Sequence, residues 1–194
     1  MTDRPRRIIV GISGASGVVY GKRLLEVLRD LQIETHLIVS RAACITLASE
    51  AEFTKQDLEA LATVTHSNKD IGAVCSSGSY KTLGMIVAPC SVKTLAEIAT
   101  GTTDNLLSRA ADVVLKERRR LVLMLRETPL HLGHIRNMAQ VTEMGGIIYP
   151  PVPAFYARPQ SLDDMVSHTV GRVLDLFDID AGMVRRWEGI GAVE

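Results

Sequence analysis

IIVGISGASG, Ile8 to Gly17, decides the fold of this chain. An apolar run ends in a glycine-rich turn, and the turn opens directly into the amphipathic segment YGKRLLEVLRDL, Tyr20 to Leu31. In an α/β protein such a strand delivers the turn to the carboxyl edge of a sheet. Gly11, Gly14 and Gly17 let backbone approach a ligand, and Ser13 and Ser16 add hydroxyls at a helix N-terminus, where anions are favoured. Tight packing alone would also call for such a turn.

The spacing separates two common relatives from a third. A dinucleotide fingerprint needs G-x-G-x-x-G, and aligning its last glycine with Gly17 puts Ile12 where the first should stand. The next strand, ETHLIVS, ends at Ser40 and Arg41 instead of at an acidic residue for an adenosine ribose. No Lys followed by Ser or Thr closes the turn, so the Walker pattern fails as well. A mononucleotide remains, with a flavin phosphate as the natural candidate.

A chain of 194 residues with 46% hydrophobic content fits one domain, residues 1–194, with a sizeable core. The formal net charge is zero, so no global field recruits nucleic acid or an anionic membrane; KERRR, Lys116 to Arg120, is the one dense basic run. Cys44, Cys75 and Cys90 are widely spaced without a C-x-x-C, which fits reduced thiols in a cytoplasmic protein. No apolar stretch has the length of a signal peptide or a membrane span.

Periodicity predicts strands near Arg7–Ile12, Glu34–Val39, Gly84–Pro89, Leu121–Arg126 and Gly146–Pro150. Helices are expected near Val18–Leu31, Arg41–Glu50, Lys55–Val64, Ser91–Thr100, Asn105–Arg119, His131–Met144 and from a capping box at Ser161 to Phe177. Strand and helix alternation implies a parallel sheet covered on both faces, with ligands beyond the strands' carboxyl ends. Ser13 to Gly17, Ser40, Cys90 to Thr94, Arg126 with Glu127, and Pro150 to Tyr156 all fall at that edge.

Several of these residues carry chemistry. At a second helix start, PCSVKT, the residues Ser91, Lys93 and Thr94 are placed to donate to a flavin ring or phosphate, with plain capping by Ser91 as the alternative. Arg126 and Glu127 emerge together from an apolar strand, as a functional pair or as an ion pair between subunits. Tyr156 on the proline-stiffened PPVPAFY loop, Arg172 in the last helix and Lys116 would make a phosphate clamp, against loop packing and a solvated helix end. His131 and His134 lack a third metal ligand. SGSY, Ser77 to Tyr80, is expected to shape a loop near the ligand, Cys90 is a candidate nucleophile without an evident base, and His36 reads as a satisfied structural residue.

With these residues assembled, the chain resembles the flavin prenyltransferase family, the FMN-binding partners of aromatic acid decarboxylases. The likeness rests on GISGASG, SSGSYKTLGMIVAPCSVKTLAEIA, DNLLSRAADVVLKERRRLVL, RETPLHLGHIRNM and PPVPAFYARPQSLDD, five blocks in family order. It implies a flavodoxin-like, Rossmann-type three-layer α/β fold with a parallel sheet. It also implies transfer of a dimethylallyl group from dimethylallyl phosphate to N5 and C6 of reduced FMN, without a metal. The prenylated FMN would pass to a UbiD-like decarboxylase, in ubiquinone synthesis or aromatic acid decarboxylation.

Carried over by motif, Gly14, Ala15, Ser16, Ser40, Ser91, Val92, Lys93, Thr94 and Arg126 would hold FMN. Arg109, Lys116, Tyr156, Arg172 and Trp187 would bind the prenyl phosphate, and Ser16, Glu127, Lys116 and Glu50 would take part in catalysis, with Ser16 against the flavin and within reach of a bound phosphate or of Glu127. The resemblance further implies a homo-oligomer, a dodecamer, with the tail from about residue 178 packing as a lid or an oligomer contact. Breaking an allylic C–O bond to phosphate separates charge, so fixed cations, hydroxyl donors and an acid are the groups the reaction needs. Two other readings stand beside it: an FMN-dependent cysteine-type decarboxylase, against which the absence of P-x-M-N-x-x-M-W argues, and a non-catalytic flavin-binding decarboxylase subunit.

Overall fold

The computed structural model describes residues 6–187 and 189. Six parallel strands form one sheet in the order β3-β2-β1-β4-β5-β6: β1 Arg7–Ile12, β2 Glu34–Val39, β3 Val64–Ser67, β4 Gly84–Cys90, β5 Arg120–Leu125 and β6 Ile147–Ile148. The helices are α1 Val18–Asp30, α2 Arg41–Glu50, α3 Lys55–Leu61, α4 Val92–Thr100, α5 Leu106–Lys116, α6 Leu132–Glu143 and α7 Leu162–Asp175. The chain steps outward from β1 to β3, then returns to lay β4 on the other side of β1. This doubly wound order puts the topological switch point between β1 and β4.

Strand alternation sorts the core into two halves. Ile8, Val10, Ile12, Leu37, Ile86, Val122 and Met124 pack under α1, α2, α3 and α7. Ile9, Ile38, Met85, Val87, Leu121, Leu123 and Leu125 pack under α4, α5 and α6. β4 is buried along all seven residues, which is why GMIVAPC reads as an unbroken apolar run. Five strands and all seven helices fall where the sequence places them, with ends shifted by a few residues.

The exception is β3. The expected helix from Lys55 stops at Leu61, and Val64–Ser67 joins β2 as an edge strand with three of its four residues exposed. Its pairing comes from backbone hydrogen bonds, which leave no apolar period to read. Beyond α7 the chain folds back on its own helix: Val184 and Met183 cover Gly171, and Arg186 binds Asp175 at 3.1 Å. The last part of the expected tail lies outside the described residues.

Candidate functional site

The switch point is held by one buried serine. Ser13 Oγ donates to the Pro89 carbonyl at 3.0 Å and accepts from the Ser91 N–H at 2.7 Å, and the Ser13 N–H also reaches Pro89 O at 3.1 Å. These bonds clamp the turn after β1 to the turn after β4, so the starts of α1 and α4 share one edge. Ser40 brings α2 to the same edge through its N–H to Ile12 O, at 2.9 Å. Gly14 makes the approach to α2 close, because a Cβ there would lie 2.4 Å from Ala42 Cβ. Ala15 is buried beside it.

Two of the three helix starts are open. Ser40 Oγ caps α2 by accepting from Ala43 N at 3.0 Å, and Ser91 Oγ caps α4 by accepting from Thr94 N at 3.2 Å. Ser91 Oγ donates in turn to Thr94 Oγ1, and Thr94 is buried, so both hydroxyls serve the cap. The first-turn N–H groups of Val92 and Lys93 remain at the helix start, where the dipole favours an anion. The Lys93 ammonium does not join them; it is exposed and pairs with Glu97 at 3.1 Å.

The third helix start is filled, against the simplest reading of the opening turn. Gly17, at φ +100°, and Val18 both donate their N–H groups to Glu50 Oε1, at 2.7 and 2.8 Å. A carboxylate from the far end of α2 thus takes the place expected for a phosphate. Burial raises the Glu50 pKa, but bonds from Val18, Ser16 and Gly17 together with the Arg126 charge outweigh it and hold the carboxyl below its ordinary range. Glu50 is therefore a fixed anion at the start of α1. Ser16 is exposed in the same turn, next to Gly17.

Arg126 and Glu127 leave β5 at this edge, the Arg126 N–H reaching Cys90 O at 3.0 Å. Both side chains are exposed, and Glu127 Oε1 accepts from Thr128 N at 2.9 Å. Two tyrosines that the sequence pattern does not single out belong here. Burial pushes the Tyr20 hydroxyl up in pKa while Arg126 pulls it down, and burial raises Tyr149 while Arg172 opposes. Neither tyrosine is marked in the sequence, since Tyr20 lies inside α1 and Tyr149 inside the strand expected over Gly146–Pro150, although β6 itself ends just before it.

The remaining expected residues divide. Tyr156 sits on a short 3-10 turn with its ring edge-on to His168 and to Trp187. Arg172 pairs with Asp175 at 2.6 Å, and Arg109, in α5, pairs with Asp112 at 2.6 Å. Lys116 is the outlier. It ends α5, ahead of β5, whereas Glu127 follows β5; six residues of strand at about 3.3 Å each put roughly 20 Å between the two edges. Within one chain Lys116 pairs with Glu117 at 2.5 Å and cannot meet Arg126.

The structure also places Ser77–Tyr80, Cys90, His36 and His131. The Ser77–Tyr80 turn lies at the amino edge, where the Arg119 guanidinium binds Gly78 O and Tyr80 O and the Lys116 ammonium lies against Gly78. Cys90 is fully buried and its thiol is pushed far up by burial, which removes it as a nucleophile. His36 is satisfied by His66, Glu34 and Tyr80. His131 spends a ring nitrogen as the cap of α6, and among the described residues no three His, Cys, Asp or Glu side chains are grouped to hold a metal.

A family model described as Flavoprotein matches residues 1–174. The flavin prenyltransferase UbiX of Escherichia coli strain K12 is 60% identical over 187 residues, covering 95% of this chain and 99% of that protein. A crystal structure of AnUbiX in complex with FMN and dimethylallyl pyrophosphate matches with a TM-score of 0.94 at 51% identity, over 96% of this chain and 99% of that one. A dodecameric FMN-dependent Ubix-like decarboxylase from Escherichia coli O157:H7 matches with a TM-score of 0.92 at 48% identity, over 94% and 100%.

Proposed function

Since the chain belongs to the Flavoprotein family and, within it, to the flavin prenyltransferases, we propose that its carboxyl edge binds FMN and dimethylallyl phosphate and joins the prenyl group to the flavin. The observation that carries this is the Ser13 clamp, which brings the open starts of α2 and α4 to the edge where Arg126 and Glu127 emerge. The donor set fits a phosphate-bearing flavin: main-chain N–H groups at two helix starts, with one guanidinium, favour an anion and ask for no metal. Gly14, Ala15, Ser40 and Ser91 to Thr94 hold the cofactor, with Arg126 at its side. When bound and reduced, FMN supplies N5 and C6 as the atoms that accept the C5 unit.

The protein's own groups then do three things. Tyr156, Arg172 and Arg109 bind the phosphate and neutralise the charge that grows on it as the allylic C–O bond breaks. Glu127 delivers a proton at the leaving phosphate oxygen, and Ser16, exposed in the turn after β1, serves proton transfer beside it. Lys116 reaches the phosphate from a second copy of the chain, because its own edge is the wrong one. The working enzyme is accordingly a homo-oligomer with sites at subunit junctions, and the product flavin passes to a decarboxylase.

Anaerobic incubation with reduced FMN and dimethylallyl phosphate, followed by mass spectrometry of the extracted flavin, tests this reading. A flavin heavier by one C5 unit is expected. Unchanged FMN with the protein saturated in both ligands would overturn it.

A further inference from the structure

Three rings form a ladder beside α7. His168 and Tyr156 have centroids 5.8 Å apart with planes at 81°, and Tyr156 and Trp187 are 6.0 Å apart at 78°. Exposure rises along it, from 8% at His168 to 46% at Tyr156 and 60% at Trp187. The buried end is unusual: His168 Nε2 is enclosed and has no hydrogen-bond partner among the described residues. A buried polar nitrogen without a partner is destabilising, and leucine would fill the same interior position of α7 without that cost. What leucine lacks is a flat ring edge to set against the Tyr156 ring.

Resting on the proposed role of Tyr156 in holding the prenyl phosphate, we infer that His168 is a positioning residue: its ring fixes the Tyr156 ring, and Tyr156 in turn holds Trp187 against the site. A cavity of about 390 Å³ adjoins the buried ring, lined by Ala154, Ala157, Met165, Ser167 and Met183 as well as His168. That space lets the 3-10 turn of Phe155–Ala157 shift if the ring beneath it is lost. The turn has few other ties, since Tyr156 is neither in an ion pair nor in a side-chain hydrogen bond among the described residues. The ring contacts therefore set its direction.

Trp187 is the sole tryptophan of the chain, so its fluorescence anisotropy reports the outer end of the ladder directly. His168→Leu is expected to lower that anisotropy and to raise KM for dimethylallyl phosphate at least fivefold, with FMN affinity unchanged and kcat within twofold. His168→Phe, which keeps a ring edge, should restore both values to within twofold of the wild type. If His168→Leu does not bind FMN, His168→Gln takes its place in the comparison. Wild-type anisotropy and KM in the ringless variant would overturn the inference, as would a Phe variant no better than the ringless one. The anisotropy arm needs no turnover, so it stands or falls separately from the prenyl-transfer reading.

Discussion

The two edges of this sheet are both rich in charge, yet they are built on opposite helix ends. At the carboxyl edge α1, α2 and α4 begin, and the charges there include Glu50, Arg126 and Glu127 around short backbone turns. At the amino edge α5, α6 and α7 finish beside a larger cavity of about 970 Å³, lined by Lys81, Arg118, Arg119 and Arg120 with Glu117 and Asp178. Cavity size and positive charge both favour the amino edge as an anion site. The helix ends reverse that preference, because converging C-termini carry negative partial charge and the arginines there compensate it. Arg119 is already spent on two carbonyls and Arg120 faces Asp178 at 3.5 Å. The orientation of main-chain groups, more than the size of a hollow, identifies the site.

The largest expected effect lies at the carboxyl edge. Glu127→Gln keeps the shape of the side chain and removes its proton, so prenyl transfer should fall at least about 100-fold while FMN binding is retained. Full turnover in that variant would remove Glu127 from the chemistry. Nearly as large is a test that joins the two edges. Lys116→Ala and Glu127→Gln should each be inactive, but oligomers reassembled from a mixture should regain measurable turnover, since some junctions then combine an intact Lys116 with an intact Glu127. Mixtures as dead as their parents would mean that Lys116 acts within its own chain or not at all.

Gly14→Val comes next. Its Cβ would press into Ala42 across a gap set by backbone, which costs roughly 1–3 kcal/mol as overpacking and displaces the turn. Lower thermal stability and loss of copurified flavin are the expected readings; normal flavin content would show that the turn does not hold the cofactor. Glu50→Ala has the smallest effect, about 1 kcal/mol, as for the loss of a helix cap. Its sign with pH is fixed by the lowered pKa of Glu50: the contribution is full above the ordinary carboxylate range and fades as pH falls through the lowered value. The stability gap between wild type and variant, read by denaturant melts, should therefore close on acidification. A gap that widens would contradict the charged state assigned to Glu50.

How much the sequence could reveal follows the same division. Local signals were legible: the glycine turn, the buried run of β4, and the caps at Ser91 and Ser161 depend on near neighbours. Relations over long separations were not. Glu50 caps a helix that starts 32 residues before it, and the Ser77–Tyr80 turn precedes a strand and so falls on the amino edge, although its hydroxyls suggest a ligand. β3 escaped notice because an exposed edge strand is defined by its partner's backbone. Lys116 was legible as a basic residue but not by its edge, which depends on the direction of β5.

Placement of the flavin at the carboxyl edge is tested most directly by amide hydrogen exchange with and without FMN. Protection is predicted in residues 13–17, 40–44 and 91–94, with none at 81–84 and 118–120. Protection confined to the amino edge, in the cavity beneath Arg118 and Arg120, would contradict that placement.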